Sequence, residues 1–400
     1  MSSEPGLQRM TGVLSGIRVV EQGTFITGPC AGMMLADLGA DVIKVESPEG
    51  DPYRSYQGDQ YSPHFQAYNR NKRSIALDLK SAADKALFEG LVGAADVFIQ
   101  NFRPGTAQRL GAGAPQLRKV NPRLVYCSIS GFGASGPYVD RPSYDSVAQA
   151  LSGFLSVVVD PAEPQFLGPA LADAITGLYA AYGVLGALVQ RGRSGEGCLV
   201  EVSMLEAMAH FAVEPFAAYF ALGRVPTSSD RPRLAQAYIL RTGDGRLIAI
   251  HLSSLEKFWR GLVVALEAPE LAADARFSTR DARIEHYELL RAELGARFAR
   301  HGVAHWSERL GRNDVPFAPI NGIDQVVEDP QVQHLGIVVP VENAHGSSRS
   351  VRPPVQFAGS HFRSVRAAPL LDEDGAAIRA ALAGGVRWPE PAERRGATSG

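Results

Sequence analysis

Residues 17–46 have the sequence IRVVEQGTFITGPCAGMMLADLGADVIKVE. This stretch predicts, in order, a strand, a turn, a helix, a glycine that ends the helix and a second strand, at residues 17–20, 28–29, 31–38, 39 and 41–46. Two strands joined by a helix are the unit from which parallel sheets are built. We therefore expect an α/β fold that starts near the N-terminal end of the chain.

The same alternation continues to residue 129. Apolar runs predict further strands at residues 74–79, 96–100 and 124–129, and residues 82–92 predict a helix between the first two of these. Strands separated by helices favour one parallel sheet over several small antiparallel ones. Residues 1–223 are therefore predicted to form a large α/β domain.

The pattern changes after about residue 223. A Thr-Gly-Asp-Gly sequence at residues 242–245 lies between two apolar runs and predicts an antiparallel hairpin. Helical patterns follow at residues 255–266, 287–300 and 303–310, and residues 315–319 are predicted to be extended. We assign residues 224–328 to a smaller α+β domain, residues 329–388 to a segment of mixed character, and residues 389–400 to a flexible polar tail.

Composition narrows the class of protein. A chain of 400 residues exceeds the usual size of one core, so two domains are the default expectation. The net charge of -2 offers no argument for a nucleic-acid or membrane partner. The three cysteines show neither metal spacing nor a disulfide framework, and residues 1–10 lack the apolar core of a secretory signal. We expect a soluble cytoplasmic protein that holds no metal.

Asp173 is the most informative single residue. It stands at the start of a stretch, residues 174–189, that has no charged side chain and predicts a helix buried on all sides. Gly177, Gly183 and Gly186 within it would let neighbouring groups pack closely. A carboxylate in this place is either an N-cap or a reactive group. Histidine is absent from residues 65–209, which argues against a catalytic triad or a histidine-rich metal site around Asp173.

Two other sequence patterns are relevant to ligand binding. Residues 131–136 fit G-x-G-x-x-G, but Pro137 follows and no helix pattern opens there, so we predict a loop rather than a dinucleotide site. Lys80, Arg103 and Arg109 lie at or just beyond strand ends, where parallel sheets bind ligands. Three cations near one crevice would suit a ligand with several phosphates, although such residues are also common as solvated surface charges.

Several blocks of sequence, taken in order, resemble family III CoA-transferases, the formyl-CoA and carnitine-CoA transferase type. The blocks are residues 69–80, 95–105, 109–111, 121–126 and 128–133, then Asp173 with its helix, and residues 195–197, 202–207, 274–277 and 315–320. The resemblance extends from about residue 16 to residue 338. It implies a Rossmann-like large domain formed from both chain ends, a small domain between them, and a homodimer of interlocked chains.

The resemblance also implies a mechanism in which Asp173 is the nucleophile. A carboxylate attacks an acyl-CoA thioester, giving an aspartyl-acyl anhydride and then an aspartyl-CoA thioester that the acceptor acid reopens. The partners implied are therefore an acyl-CoA and a carboxylic acid, and CoA is a substrate rather than a cofactor. At a helix start, N–H groups are expected to favour the ionised carboxylate, and apolar walls to exclude water.

Further site residues follow from the resemblance by position. The CoA contacts implied are Leu77, Lys80, Asn101, Phe102, Arg103, Arg109, Arg141 and Tyr144, and the acyl group is expected near Phe25, Ile26 and Thr27. Ser47 and Pro142 depart from the formyl-CoA transferases, which carry arginine and lysine there, and Arg141 is a candidate to replace the lysine. Consecutive glycines are absent from residues 224–329, which disfavours oxalate or formate as substrate.

Two alternatives stay open at this stage. The 2-methylacyl-CoA racemases are similar in sequence, but Tyr144 stands where they carry a histidine base, and a tyrosine of pKa about 10 is a poor base at neutral pH. A catalytically silent CoA-binding subunit is the other alternative, and the presence of Asp173 argues against it. For the substrate we favour a dicarboxylate with succinyl-CoA as donor, with Arg70 and Arg73 as candidates to hold the second carboxylate.

Overall fold

A computed structural model describes residues 12–58, 60–166, 168–253, 255–342, 348–357 and 365–390. The chain divides into two compact units. Unit 1 contains residues 12–154, 166–213 and 336–390 of the described chain, and unit 2 contains residues 155–165 and 214–335. Residues 1–11 and 391–400, which include most of the predicted tail, lie outside the described residues.

Unit 1 is built on a six-stranded parallel sheet, as the sequence predicts. Its strands are β1 Arg18–Gln22, β2 Asp41–Glu46, β3 Lys72–Ala76, β4 Val97–Gln100, β5 Val125–Ser130 and β6 Leu199–Ser203. The strand order is β3-β2-β1-β4-β5-β6. This is the order of doubly wound Rossmann folds, in which ligands bind where the order reverses, here between β1 and β4.

Helices cover both faces of this sheet. Those of the first two segments of unit 1 are α1 Thr27–Asp37, α2 Pro63–Asn69, α3 Ala82–Ala94, α4 Thr106–Arg109, α5 Ala114–Val120, α6 Asp145–Leu151, α7 Leu171–Ser194 and α8 Met204–Phe211. On one face α1 and α7 pack on side chains such as Val19 and Ile99, and on the other α3 and α5 pack on Val20 and Phe98. Successive residues of β1 and β4 thus point into opposite cores, which is why each strand has adjacent apolar residues instead of an alternating pattern.

The third strand differs from its prediction. It begins at Lys72 and ends at Ala76, whereas the apolar run predicts residues 74–79. The strand starts earlier because Lys72 and Arg73, although charged, are buried with carboxylate partners in Glu21 and Asp41. Such partners remove much of the cost that normally keeps cations out of a strand with both faces covered.

Helix α7 is 24 residues long, and the prediction that it is buried on all sides is wrong. Leu178, Tyr182 and Val189 are 53%, 72% and 60% exposed, so only one face packs in the core of unit 1. A sequence without charges shows that a helix is apolar all round but not what covers each face. Among helices of the described residues, α7 is long and apolar enough to cross a membrane, a test that core helices of soluble proteins also pass.

The glycines of α7 differ in what they permit. A Cβ at Gly177 would lie 2.7 Å from Cys30 Cβ and 2.9 Å from the Thr27 carbonyl oxygen, and one at Gly183 would lie 2.8 Å from Val200. Gly177 therefore allows the close approach of α7 to α1, as expected. Gly186 has open space around it, so the expectation of close packing is wrong there.

Unit 2 contains the predicted hairpin and a set of helices. Strands β7 Ala237–Arg241 and β8 Leu247–His251 are antiparallel, and the extended segment supplies β9 Phe317–Pro319 to the same sheet. Its helices are α9 Val213–Leu222, α10 Asp230–Ala235, α11 Leu255–Ala265, α12 Pro269–Ala273, α13 Arg280–Glu285, α14 Tyr287–Phe298, α15 Val303–Arg312, α16 Ile323–Val326 and α17 Pro330–His334. Trp259, Phe298 and Trp306 are buried in its core.

The C-terminal segment belongs to unit 1. It forms a three-stranded sheet and a helix, with bounds β10 Val338–Glu342, β11 Ser348–Val351, β12 Val365–Arg366 and α18 Gly375–Ala383. Ile378 of α18 and the nearby Trp388 pack into the same core as α3. The carboxylates of Asp372 and Asp374 accept hydrogen bonds from the backbone of β3. The last part of the chain therefore packs against the first.

Candidate active site

A cavity of about 620 Å³ opens at the carboxyl ends of the central strands. Its walls come from the loops that follow β1, β4 and β5 and from the first turn of α7, which places it beside the reversal of strand order. Nine of the residues named from the sequence line it: Phe25, Ile26, Thr27, Asn101, Phe102, Arg103, Arg141, Tyr144 and Asp173. The structure therefore brings the nucleophile candidate and the acyl-group candidates to one cavity.

Asp173 is the third residue of α7 and does not cap it. The N-cap position is Ala170, whose side chain makes no capping hydrogen bond. The cap comes instead from Asp145, whose Oδ1 accepts from the backbone N–H of Ala172 at 2.7 Å and of Asp173 at 3.3 Å. Across the described residues, no donor contacts the Asp173 carboxylate, which is half-buried and faces the cavity.

The surroundings of Asp173 disfavour its charge. Burial, with a further contribution from the negative charge of Asp145, raises the pKa of Asp173 from 3.8 to about 7. The expectation that the helix start stabilises the ionised form is therefore not met, because Asp145 has taken the available N–H groups. A half-ionised carboxylate without partners is typical of a reactive group rather than of a structural one.

The loop after β1 holds Phe25 in an unusual backbone conformation. Its φ is 59°, in the left-handed region that disfavours residues with a side chain. The backbone N–H of Phe25 donates to Asp51 Oδ1 at 3.1 Å. Asn101 accepts from the N–H of Thr24 and donates to its carbonyl and to Thr27 Oγ1, at 2.8–2.9 Å. Asn101 thus shapes the wall of the cavity, with its amide already engaged.

Asp51, which accepts the hydrogen bond from Phe25, belongs to a buried network of ion pairs. Lys44 lies 3.3 Å from Glu21 and 3.0 Å from Asp51, and Lys72 lies 2.9 Å from Glu21, all with fully buried side chains. The carboxylates raise the pKa of Lys44, while burial lowers the pKa of Lys72 to about 8. The sequence does not reveal this network because Glu21, Lys44, Asp51 and Lys72 come from different segments, and no local spacing relates them.

A second cavity, of about 460 Å³, shares Thr24 and Phe102 with the first. Leu77, Lys80 and Ser47 line it. Arg109 lines neither cavity and donates to Thr106 Oγ1 at 2.8 Å. Lys80, Arg103 and Arg109 therefore do not converge on one crevice: the first two lie at separate cavities, because the loops that carry them follow different strands.

Arg141 and Tyr144 come from the loop between β5 and α6, which contains no helix, as predicted from Pro137. The Arg141 guanidinium lies 4.4 Å from the Tyr138 ring centroid, a cation–π distance. Tyr144 is 62% exposed and its ring meets that of Phe25 edge-on at 6.2 Å. Within the described part of the chain, neither Arg103 nor Arg141 has a carboxylate partner, so both are available to an anionic ligand.

Arg70 and Arg73 do not line either cavity, and the prediction that they hold a substrate carboxylate is wrong. Arg70 pairs with Asp37 at 2.6 Å and donates to the Val351 carbonyl, and Arg73 pairs with Asp41. The first pair joins the end of α2 to α1, and the second joins β3 to β2. Glu46, the last residue of β2, is also buried and is paired with Arg54 at 2.7 Å. Within the described ranges, no group of three or more His, Cys, Asp or Glu is placed to hold a metal ion.

The sequence model of CoA-transferase family III matches residues 14–375. The chain belongs to CoA-transferase family III. A succinate–glutarate CoA-transferase of Agrobacterium fabrum is 37% identical over 92% of this chain and 95% of its own length. An acetyl-CoA:oxalate CoA-transferase of Acetobacter aceti is 33% identical over 92% of this chain and 95% of its own. The protein is accordingly an enzyme that transfers CoA, and acyl-CoA and carboxylate substrates fit this activity.

The architecture has a solved counterpart in the same family. The crystal structure of a CAIB/BAIF family protein from Brucella suis superposes with a TM-score of 0.82 at 34% identity, covering 93% of this chain and 100% of that one. The mixed α/β fold with its parallel sheet is thus shared by the family III enzyme described here and a related protein.

Proposed function

We propose that this family III enzyme transfers CoA between carboxylic acids with Asp173 as the nucleophile. One observation supports this above all others: the Asp173 carboxylate faces the cavity with no hydrogen-bond donor among the described residues, and its pKa is raised to about 7. A basic, poorly solvated carboxylate is a stronger nucleophile than a solvated one, yet enough of it is ionised at neutral pH to react.

The reaction proceeds in balanced steps. An Asp173 oxygen bonds to the thioester carbonyl carbon and the carbon–sulfur bond breaks. CoA leaves as a thiolate, and a mixed anhydride of Asp173 and the donor acyl group remains. The thiolate attacks the aspartyl carbonyl carbon and releases the donor acid. The acceptor carboxylate then reopens this aspartyl-CoA thioester, forming a second anhydride, and the thiolate takes the acceptor acyl group. Each thioester is exchanged for another, so no external energy source enters the scheme.

The adjoining cavities suggest how an acyl-CoA is held. The thioester end belongs beside Asp173, against the loop that carries Phe25, Ile26 and Thr27. The remainder of CoA extends past Phe102 into the second cavity, where Leu77 and Lys80 lie. Arg103 and Arg141 supply free positive charge at the first cavity. Arg109 lines neither cavity, and Ser47 cannot provide the charge that an arginine would, so Arg141 is the better candidate for the missing phosphate contact.

A dicarboxylate is the preferred substrate class, with succinyl-CoA as donor. The Agrobacterium relative is named for succinate and glutarate and the Acetobacter relative for oxalate, all of them dicarboxylates. With Arg70 and Arg73 engaged elsewhere and Arg141 assigned to a phosphate, the second carboxylate of the acid would pair with Arg103, the other arginine that lines the first cavity. Racemisation is the weaker alternative because Tyr144 offers no base at neutral pH, and a silent subunit would not need a free Asp173 carboxylate.

We also propose that the active form is a homodimer of interlocked chains. The exposed face of α7, with Leu178, Tyr182 and Val189, is apolar and next to the proposed nucleophile. In unit 2, Phe220 and Leu222 of α9 are likewise exposed. Faces of this kind mark protein–protein contacts more often than free surface. Size measurement in solution by light scattering tests this: a monomeric mass at working concentration would contradict it.

The experiment that tests the function is chemical trapping. The intact protein is mixed with a panel of acyl-CoAs and hydroxylamine, and its peptides are analysed by mass spectrometry. The proposal predicts a hydroxamate at Asp173, loss of activity, and a donor identified by the acyl-CoA that reacts. Asp173→Asn should show no modification under the same conditions. Exchange of the α-proton with deuterated water in the absence of any Asp173 modification would instead support the racemase.

A further inference from the structure

The start of α7 has its free backbone donors occupied by a residue from another helix. The first N–H groups of any helix lack partners within it. Here Asp145 Oδ1 accepts from those of Ala172 and Asp173, the second and third positions, at 2.7 and 3.3 Å. Asp145 Oδ2 accepts from Gln149 Nε2 at 2.6 Å, which fixes the carboxylate from its own helix. Both oxygens of Asp145 are therefore committed.

We propose that Asp145 is a positioning residue for CoA transfer: by holding the N–H groups at the start of α7, it leaves the Asp173 carboxylate undonated and facing the cavity. An acidic side chain in the first turn of a helix would otherwise be attracted to the free N–H groups of that turn. Such an interaction would make Asp173 less basic and turn it away from a substrate. This inference rests on the proposed role of Asp173 as nucleophile.

The negative charge of Asp145 acts in the same direction as its hydrogen bonds. Cys30 of α1, Tyr53, and Tyr68 of α2 also lie near Asp173, and burial raises the pKa of all three, so they are neutral near pH 7. Tyr56, Tyr144, Arg103 and Arg141 line the same cavity, and the positive charge of the two arginines acts in the opposite direction to that of Asp145. Helix α8 contributes the apolar Met204 to the cavity wall. Among the described residues, Asp145 is thus the ionised group that disfavours the charge of Asp173.

Two substitutions separate the charge of Asp145 from its capping role. Asp145→Asn keeps a neutral oxygen that can accept from the helix start and removes only the charge, whereas Asp145→Ala removes both the charge and the acceptor. The first readout is the titration of the Asp173 carboxyl group in protein without substrate. It is monitored by infrared difference spectroscopy, with Asp173→Asn as the reference. We expect its midpoint to fall by at least about 0.5 pH unit in both variants.

The second readout is the rate at which Asp173 is acylated in a single turnover. We expect this rate at pH 8 to fall several-fold in both variants, and its acid limb to move to lower pH, because a less basic carboxylate is a weaker nucleophile. Asp329→Asn is the matched control. Asp329 Oδ1 caps α17 in unit 2 with the same geometry, accepting from Gln331 and Val332 at 2.8 and 3.2 Å, and its replacement should change neither readout.

The outcomes distinguish this inference from the proposed function. An unmoved titration midpoint in both Asp145 variants overturns the inference and leaves Asp145 as a helix cap only. A midpoint that falls together with a lower acylation rate supports it. Wild-type protein that titrates as expected but takes no acyl group from any productive donor overturns the role of Asp173, and with it the catalytic part of this inference.

Discussion

Replacing Asp173 with asparagine should stabilise the protein while abolishing transfer. The side chain is half-buried, lies near the negative Asp145 and receives no donor from the described residues. Its ionised form is thus held in the folded state at a cost in free energy. Asparagine has nearly the same shape and no charge, so it removes this cost together with the nucleophile.

The size of the effect follows from the pKa of Asp173. A rise from 3.8 to about 7 corresponds to about 4 kcal/mol at 1.36 kcal/mol per pH unit. The cavity is open to solvent, which screens the charge, so we expect about 2 kcal/mol. The sign is set by the raised pKa: the folded protein binds the proton more tightly, so stability from this group is complete below pH 3.8 and is lost as pH rises through about 7.

The assay is urea unfolding of wild type and Asp173→Asn at pH 5 and pH 8. The unfolding free energy of the variant should exceed that of wild type by about 2 kcal/mol at pH 8, and by clearly less at pH 5. Asp329→Asn, at a half-buried capping residue of unit 2, controls for the chemical change itself. A variant that is less stable than wild type at pH 8, or a difference that does not grow with pH, would refute the reasoning.

Three further predictions concern packing, the loop and the two classes of arginine. Gly177→Ala should lower the unfolding free energy by about 1–3 kcal/mol, because the new Cβ meets Cys30 and the Thr27 carbonyl. Gly90→Ala in α3, where the space around the glycine is open, should raise the unfolding free energy by up to about 1 kcal/mol. Equal stabilities of the two variants in urea would contradict this. Asn101→Ala should remove about 1–3 kcal/mol and lower kcat/KM, because the loop that carries Phe25 loses three hydrogen bonds; unchanged kinetics would be evidence against that positioning. Arg141→Gln should raise the KM for acyl-CoA or acid several-fold without moving the urea midpoint. Arg70→Gln should instead lower the unfolding free energy by about 3–5 kcal/mol, because it breaks the buried pair with Asp37. The reverse pattern would restore Arg70 as the substrate ligand.

The parallel sheet could be predicted because its signals are local. Strand β2 has the bounds that the pattern at residues 41–46 predicts, and the predicted helix between β1 and β2 is present. The turn predicted at residues 28–29 is wrong: α1 begins at Thr27, so Gly28 and Pro29 belong to its first turn, where proline is tolerated. Strand β3 was displaced for a physical reason: Lys72 and Arg73 enter the core only because Glu21 and Asp41, distant in sequence, neutralise them there. Apolarity alone cannot predict a strand whose cations are paired across the sheet.

The site was predicted unevenly for the same reason. Asp173 stood out because sixteen uncharged residues follow it, which is visible in the sequence. Asp145 gave no such signal, because a cap supplied by another helix has no fixed spacing from the helix that it caps. The buried pairing of Lys44 with Asp51 under the Phe25 loop is equally non-local. Residue type and spacing single out Asp173, the proposed nucleophile, but not Asp145 or the buried charges around it.

The most direct test of the account uses an acceptor acid whose carboxylate oxygens carry the heavy isotope. In the proposed scheme the bridging oxygen of the second anhydride comes from the acceptor, and the thiolate attacks the acceptor carbonyl, so that oxygen stays on Asp173. Mass spectrometry of the peptide that contains Asp173 should show the gain of one heavy oxygen after a single turnover. Full turnover with no heavy oxygen on Asp173 would contradict the anhydride mechanism and the role assigned to this residue.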